Sequence, residues 1–265
     1  MKSVRKALTI AGSDSGGGAG IQADLKTFAA LGVYGTSAIT AVTAQNTISV
    51  TRVLALNPTL VGAQIDAIMD DIGAHALKTG MLANAAIIET VVNKIRQHRL
   101  NNLVVDPVMV ATSGDLLIKR NAVAALRTQL IPLAALVTPN IPEAEELTGM
   151  RLRGDRDIAA AARLIVAMGA KAVVIKGGHL KGPAIDLFFD GKKFVALHAP
   201  RVRTRNTHGT GCTFSAAVAA YLAKGENIDS AVRAAKKYIT AAIRAGFAVG
   251  AGHGPVHHFH KMWRN

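Results

Sequence analysis

Short apolar runs alternate with amphipathic helical patterns along nearly the whole chain, and that alternation permits few folds. Strand-length runs are predicted over 7–12, 36–43, 52–56, 76–79, 103–106, 136–138 and 172–176. Helices are predicted over 20–31, 58–71, 85–99, 120–129, 142–147, 155–168, 212–222 and 229–244. The first helix carries Ile21, Leu25 and Phe28 on one face, and Pro58 suits the first turn of the second. Asp190-Gly191 separates the runs 185–189 and 193–197, which is the mark of a hairpin. Strands alternating with helices predict an α/β fold, a mostly parallel sheet covered on both faces. No Pro- or Ser-rich linker, repeat or low-complexity tract interrupts residues 1–265, so one domain is expected.

Half of the 265 residues are hydrophobic, enough for a large buried core. Lys and Arg number 31 against 17 Asp and Glu, and the net charge of +14 suits an anionic ligand. Nucleic acid is not expected as a partner: the charges are scattered, aromatic residues make up 4%, and no nucleic-acid motif occurs. A single cysteine excludes an internal disulfide framework and a cysteine-rich zinc site. The apolar run after the basic start is too brief for a signal segment, and no stretch approaches a membrane span. A cytoplasmic, soluble chain with no membrane partner is expected.

In sheets of this kind ligands bind beyond the carboxyl ends of the strands. Small or polar residues gather at five such ends: Gly12-Ser13-Asp14, Gln45-Asn46, Asp106, Thr138-Pro139-Asn140 and Lys176-Gly177-Gly178. Glycines crowd the segment from Gly12 to Gly20, yet it matches neither the dinucleotide fingerprint nor the P-loop. It reads as a backbone-lined small-molecule pocket with Asp24 as a hydrogen-bond acceptor, or as a turn with Asp24 on a solvated face. Further on, Asn206-Thr207-His208-Gly209-Thr210-Gly211-Cys212 feeds a helix start. Such a turn aims backbone N–H groups at one point and adds the helix dipole, which makes an anion site and favours a thiolate at Cys212. Asn140 and Glu143, three apart at another helix start, offer either two oxygen ligands for Mg²⁺ or a helix cap, and Asp106 is a second metal or phosphate-side candidate. Lys176 reads as a phosphate contact or an exposed lysine, and Lys237 as a solvated lysine on an amphipathic helix. The histidines at 253, 257, 258 and 260 read as a surface tail.

The ordered blocks Ala-Gly-Ser-Asp at 11–14, Gly-Gly-Ala-Gly-Ile-Gln-Ala-Asp-Leu-Lys at 17–26, Thr-Ala-Gln-Asn-Thr at 43–47 and Lys-Thr-Gly-Met-Leu at 78–82 carry a resemblance. It continues through Asp-Pro-Val-Met at 106–109, Thr-Pro-Asn at 138–140 with Glu143, Lys-Gly-Gly-His at 176–179, Asn-Thr-His-Gly-Thr-Gly-Cys at 206–212 and Gly-Pro-Val-His-His-Phe at 254–259. The chain resembles the bifunctional hydroxymethylpyrimidine kinase/phosphomethylpyrimidine kinases of thiamine biosynthesis, within the ribokinase-like superfamily. The resemblance implies a three-layer α/β/α sandwich, ATP as phosphoryl donor with Mg²⁺, and a homodimer. It implies a pyrimidine substrate held by residues matching Gly12, Asp24, Gln45, Met81 and Val108. Nucleotide contacts are implied at Asn140, Lys176, Thr207, Gly209, Gly211 and Lys237, and Mg²⁺ linked to Asn140 and Glu143, with Asp106 beside them. Catalysis would fall to Cys212 with Gly209, Thr210, Gly211 and Lys176. Most ribokinase-like sugar kinases carry aspartate where this chain has Cys212; cysteine is typical of the pyrimidine-kinase branch and some pyridoxal kinases. Gly16 stands where the family commonly has serine. Pyridoxal kinase is the nearest rival, and a non-catalytic vitamin- or nucleotide-binding protein is the rival from another class.

Overall fold

The computed structural model describes residues 4–109, 120–178 and 184–263. Its strands are β1 (Lys6–Asp14), β2 (Tyr34–Gln45), β3 (Val50–Ala55), β4 (Ala76–Thr79), β5 (Leu103–Val105), β6 (Leu136–Val137), β7 (Val173–Ile175), β8 (Ala184–Phe189) and β9 (Phe194–Ala199). The helices are α1 (Gly20–Ala30), α2 (Pro58–Asp71), α3 (Ala85–Gln97), α4 (Arg120–Ala125), α5 (Ile141–Thr148), α6 (Asp155–Ala167), α7 (Thr210–Ala223) and α8 (Ile228–Arg244). Among the described residues, one sheet runs in the order β3-β2-β1-β4-β5-β6-β7-β8-β9. The pairs from β2 through β1 and β4 to β7 are parallel, and antiparallel strands β3, β8 and β9 close the two edges.

The central strands are buried nearly throughout because both of their faces are covered, and most of their residues are apolar. Alternate side chains feed two separate cores. Leu8, Ile10, Leu77, Val105 and Val173 pack with residues of α2, α3, α5 and α6. Ala7, Ala76, Val104, Leu136 and Val174 pack with α1, α7 and α8 on the other face. The expected three-layer α/β/α sandwich is what the two cores describe. Helix α3 shows the pattern most plainly, burying Ile87, Ile88, Val91, Val92 and Ile95 as one stripe. Asn57, Asn84 and Asn227 cap α2, α3 and α8 by accepting first-turn N–H groups. Among the described residues no helix is long and apolar enough to cross a membrane.

Three expectations need correction. The helix predicted over 120–129 stops at Ala125 and continues as a π turn, Leu126–Leu130, and a 3-10 turn, Ile131–Leu133. Pro132 has no N–H to return to the preceding turn, and its ring crowds that carbonyl, so α-helical bonding cannot run through it. The helix predicted from 212 starts at Thr210, because Gly209 supplies its cap. The histidine-rich tail is not all surface: His257 and His258 are buried. His258 Nε2 lies 3.0 Å from the Thr213 hydroxyl, and the Tyr238 hydroxyl donates to the His258 carbonyl at 2.6 Å. Burial pushes His258 down to about 3, so it serves as a neutral packing group. His179 of the quoted blocks lies outside the described residues.

The caps give a direct test of this local reading. The Asn84 side-chain oxygen accepts the Ile87 N–H at 3.0 Å. Asn84→Ala should lower the unfolding free energy by about 1 kcal/mol in urea, with the slope of the transition unchanged.

Candidate active site at the carboxyl ends of the parallel strands

The start of α7 faces the carboxyl ends of β1, β4, β5 and β7. Gly209 takes a φ of 75°, in the left-handed region open to glycine. A Cβ there would stand 1.8 Å from the Gly18 carbonyl oxygen, so no other residue fits without displacing that loop. The Thr213 N–H bonds the Gly209 carbonyl at 2.8 Å, and the Thr210 N–H turns back to the Thr207 carbonyl at 3.2 Å. Gly211 and Cys212, in the same first turn, have no carbonyl one turn before them inside the helix. Their N–H groups and the helix dipole make an arrangement able to receive an anion. Thr210 contributes its backbone to the shape of the turn, since its hydroxyl also bonds Thr207, at 2.7 Å. A Cβ at Gly211 would lie 3.2 Å from Lys176 Nζ and 3.8 Å from an Asp106 oxygen, which brings both charges to the turn.

Asp106 follows β5 and is almost fully buried. It pairs with Lys176 Nζ at 3.0 Å and accepts from the hydroxyls of Thr138 and Ser215, each at 3.2 Å. Burial pushes its carboxyl up, but Lys176 and then Lys78 outweigh that and hold it below the ordinary range. Burial pulls Lys176 down, yet the Asp106 and Glu143 carboxylates keep it above its usual value. On the neighbouring strand, Lys78 Nζ meets Asp24 Oδ2 of α1 at 2.9 Å, and both side chains are wholly buried. The Thr9 hydroxyl donates to the same oxygen at 2.6 Å. Asp24 Oδ1 has no hydrogen-bond partner among the described residues. Lys78 is held well above its normal range: burial opposes the charge, and Asp24, Cys212 and Asp106 outweigh it. The solvated-face reading of Asp24 is therefore excluded.

Cys212 does not rest as the thiolate expected from its helix start. Burial, reinforced by the charges of Asp24 and Asp106, pushes its thiol up to about 11 despite the opposing charge of Lys78. Glu143 is pushed up to about 7 by burial first, with Lys176 opposing and Asp106 adding to the rise. Asn140 and Glu143 form a reciprocal capping box at α5: Asn140 accepts the Glu143 N–H at 2.9 Å, and Glu143 accepts the Asn140 N–H at 2.8 Å. The Asn140 oxygen, expected to face a metal, is thus engaged with the helix start. No group of three or more His, Cys, Asp or Glu able to hold a metal occurs among the described residues. Asp106 and Glu143 still fit Mg²⁺, which keeps most of its waters and shares a few carboxylates with substrate phosphates. Glu143 is raised by burial first and further by Asp106, and a divalent cation beside the two carboxylates would oppose both effects.

The first glycine loop closes over the same turn. The Asp14 carboxylate accepts N–H groups of Gly16 at 2.8 Å, Gly18 at 3.1 Å and Ala19 at 2.8 Å, and His208 Nε2 at 2.8 Å. Burial raises the Asp14 carboxyl, but the bonds from His208 and Ala19 bring it below the ordinary value. Gly12 lies buried in β1, where a Cβ would meet the Met81 sulfur at 3.2 Å, so these two expected substrate residues are neighbours. Gln45 ends β2 with its amide 3.5 Å from His208 Nε2. Val108 is half-buried just past Asp106, its N–H bonded to the Asp106 carbonyl at 2.8 Å. Lys237 is exposed on α8, whereas its neighbour Lys236 turns inward to Asp186 at 2.6 Å. Asp186 also accepts the Gly177 N–H at 3.0 Å, next to Lys176.

Sequence reasoning named Asp14 only among the strand-end polar residues, gave His208 no role, and passed over Lys78, Ser215 and the Asp186–Lys236 pair as working residues. Lys78 had a legible signal: a lysine inside a fully buried strand requires an anion. Ser215 also had one, since it falls four residues after Gly211 on an otherwise apolar helix.

Comparison with known proteins agrees with this geometry. A family model described as phosphomethylpyrimidine kinase matches residues 14–257. The chain is 56% identical to the hydroxymethylpyrimidine/phosphomethylpyrimidine kinase of Rhizobium meliloti over 98% of each protein. Its fold is similar to the ADP complex of Bacillus subtilis pyridoxal kinase, with a TM-score of 0.92, 45% identity, and coverage of 99% of this chain and 100% of that one. It is also similar to the phosphomethylpyrimidine kinase of Clostridium difficile, with a TM-score of 0.81, 46% identity, and coverage of 91% and 100%. From the Asp14 loop to the buried His257, the chain belongs to the phosphomethylpyrimidine kinase family, on a ribokinase-like fold.

Proposed function

We propose that residues 1–265 act as one kinase domain of thiamine biosynthesis. It transfers the γ-phosphoryl group of ATP to the hydroxymethyl group of 4-amino-5-hydroxymethyl-2-methylpyrimidine, and then to the resulting monophosphate. The observation that carries this reading is the meeting of Cys212 and the glycine turn with two ammonium groups, the buried Lys78 and the half-buried Lys176. Phosphoryl transfer needs positioning and charge stabilisation more than covalent help from the protein. The N–H groups of Gly211 and Cys212 would bind the transferring group, and Lys176 would neutralise its charge. Gly12, Asp24, Gln45, Met81 and Val108 would hold the pyrimidine. The buried, unpartnered Asp24 Oδ1 supports this, because a ring amino group or protonated ring nitrogen would satisfy it. Asn140, Thr207, Gly209 and Lys237 would lie along the nucleotide. Bound Mg²⁺ supplies charge neutralisation on the phosphates, and Asp106 and Glu143 would hold it. The exposed Val42, Val53 and Leu54 on the β2–β3 ribbon support a homodimer within this reading. A cytoplasmic location accompanies it.

A second reading, pyridoxal kinase, is favoured by the 0.92 TM-score with the Bacillus subtilis enzyme. ADP release should occur with ATP and Mg²⁺ in the presence of the pyrimidine and of its monophosphate. Turnover of pyridoxal alone would establish the second reading, and no turnover of any of the three would leave a non-catalytic binding protein.

Cys212 is a thiol at neutral pH, so in that form it orients the attacking hydroxyl, and only its small thiolate fraction could take the hydroxyl proton. Because its folded value lies near 11, the thiolate fraction rises with pH. If that thiolate is the base, kcat should climb toward alkaline pH, and Cys212→Ser should cut it by roughly 10²–10⁴ and flatten the climb. A serine variant with a near-normal rate would remove the base role. Lys78→Met should cost about 3–5 kcal/mol of stability, since it strands Asp24 in a dry site. Adding Asp24→Asn should recover part of the melting temperature but none of the turnover.

A further inference from the structure

We propose that Asp14 and His208 are positioning residues for phosphoryl transfer, a clamp that holds the loop 14–20 on the start of α7 and the Gly20 N–H on the Cys212 sulfur. The inference rests on the proposed role of Cys212, while its test reads the sulfur directly. Asp14 closes β1, and its carboxylate gathers the loop by binding the N–H groups of Gly16, Gly18 and Ala19. One more bond leaves that loop entirely: His208 Nε2, 194 residues away in sequence, reaches Asp14 Oδ2 at 2.8 Å. An ionised carboxylate only accepts, so Nε2 carries the hydrogen. Both groups are buried, which shields the bond from water and salt.

Packing shows that the bond works as a clamp. A Cβ on Gly18 would lie 2.3 Å from His208 Cδ2, so the imidazole lies flush on the loop's backbone. A Cβ on Gly209 would strike the Gly18 carbonyl, so the next residue seats on the loop as well. From behind, the His208 N–H bonds the Gly254 carbonyl at 3.0 Å, which fixes the side chain's origin. The clamped loop runs into Gly20, whose own Cβ would stand 2.4 Å from the Gly12 carbonyl. The Gly20 N–H is a donor to Cys212 and favours its charged form. The charged neighbours of the sulfur are Lys78 from β4, Asp24 from α1, Asp106 after β5 and Lys176 after β7. Gly20 is the backbone donor that answers to the clamp.

The test uses the full chain, in which Cys212 is the one cysteine and so the one thiol that iodoacetamide alkylates. The midpoint of the pH profile of alkylation is the quantity to read, because loss of the Gly20 donor raises it, whereas added exposure to water alone lowers it and would overturn the clamp. In His208→Ala the midpoint should rise by about one pH unit, a tenfold loss of thiolate at any lower pH, and kcat should fall with KM little changed. His208→Gln, whose amide N–H can still reach Asp14, should restore both. An unchanged midpoint in His208→Ala would overturn the clamp, even if kcat fell. If His208→Ala does not fold by circular dichroism, Asp14→Asn decides the question by the same midpoint. The midpoint can be read on a chain that turns over no substrate, so failure of the kinase assignment and failure of the clamp are separate results.

Discussion

A dry pocket can hold only as many negative charges as it has positive charges to match, and that balance governs the centre of this molecule. Two lysines, Lys78 and Lys176, meet four acidic groups: Asp24, Asp106, Glu143 and Cys212. The shortest contacts, Lys78 to Asp24 and Lys176 to Asp106, consume both cations. Burial displaces Glu143 upward to about 7 and Cys212 to about 11, and it raises even Asp24 despite its lysine. The site is thus poised to accept more positive charge beside Asp106 and Glu143. Triphosphate oxygens at the α7 turn would bring new anions, and a magnesium ion would arrive with them as their counter-charge.

This arrangement depends on where α7 lies. Its buried face is almost entirely small: Ala216, Ala217, Ala219 and Ala220 are fully enclosed. Small side chains let the helix run close beneath the sheet between α1 and α8, buried nearly all round. A buried helix cannot tilt freely, so its first turn points at the strand ends with little latitude. The interlocked glycines at 18 and 209 then fix the depth of that turn against the β1 loop.

Much of this was legible in the sequence. Helix 58–71 and strand 76–79 were read to the residue, the helix because Pro58 marks its first turn sharply. The clustering of polar residues at strand ends was legible because a parallel sheet delivers all its carboxyl ends to one side. What remained hidden depended on distance. Thr9, Asp24 and Lys78 come from three elements, and no local pattern joins them. Asp14 and His208 are likewise joined only by the fold. Spacing gave Asn140 and Glu143 two uses, and the coordinates show the cap in full while charge balance bears on the metal. The thiolate expectation failed because a helix dipole is a surface-scale effect, and desolvation beside two carboxylates exceeds it.

The raised thiol of Cys212 has a consequence for oxidative chemistry. Peroxide attacks the thiolate, not the thiol. A group that titrates near 11 presents only about one thiolate in ten thousand at neutral pH. The burial that holds Cys212 as a thiol also keeps the resting sulfur from progressing to sulfenic acid.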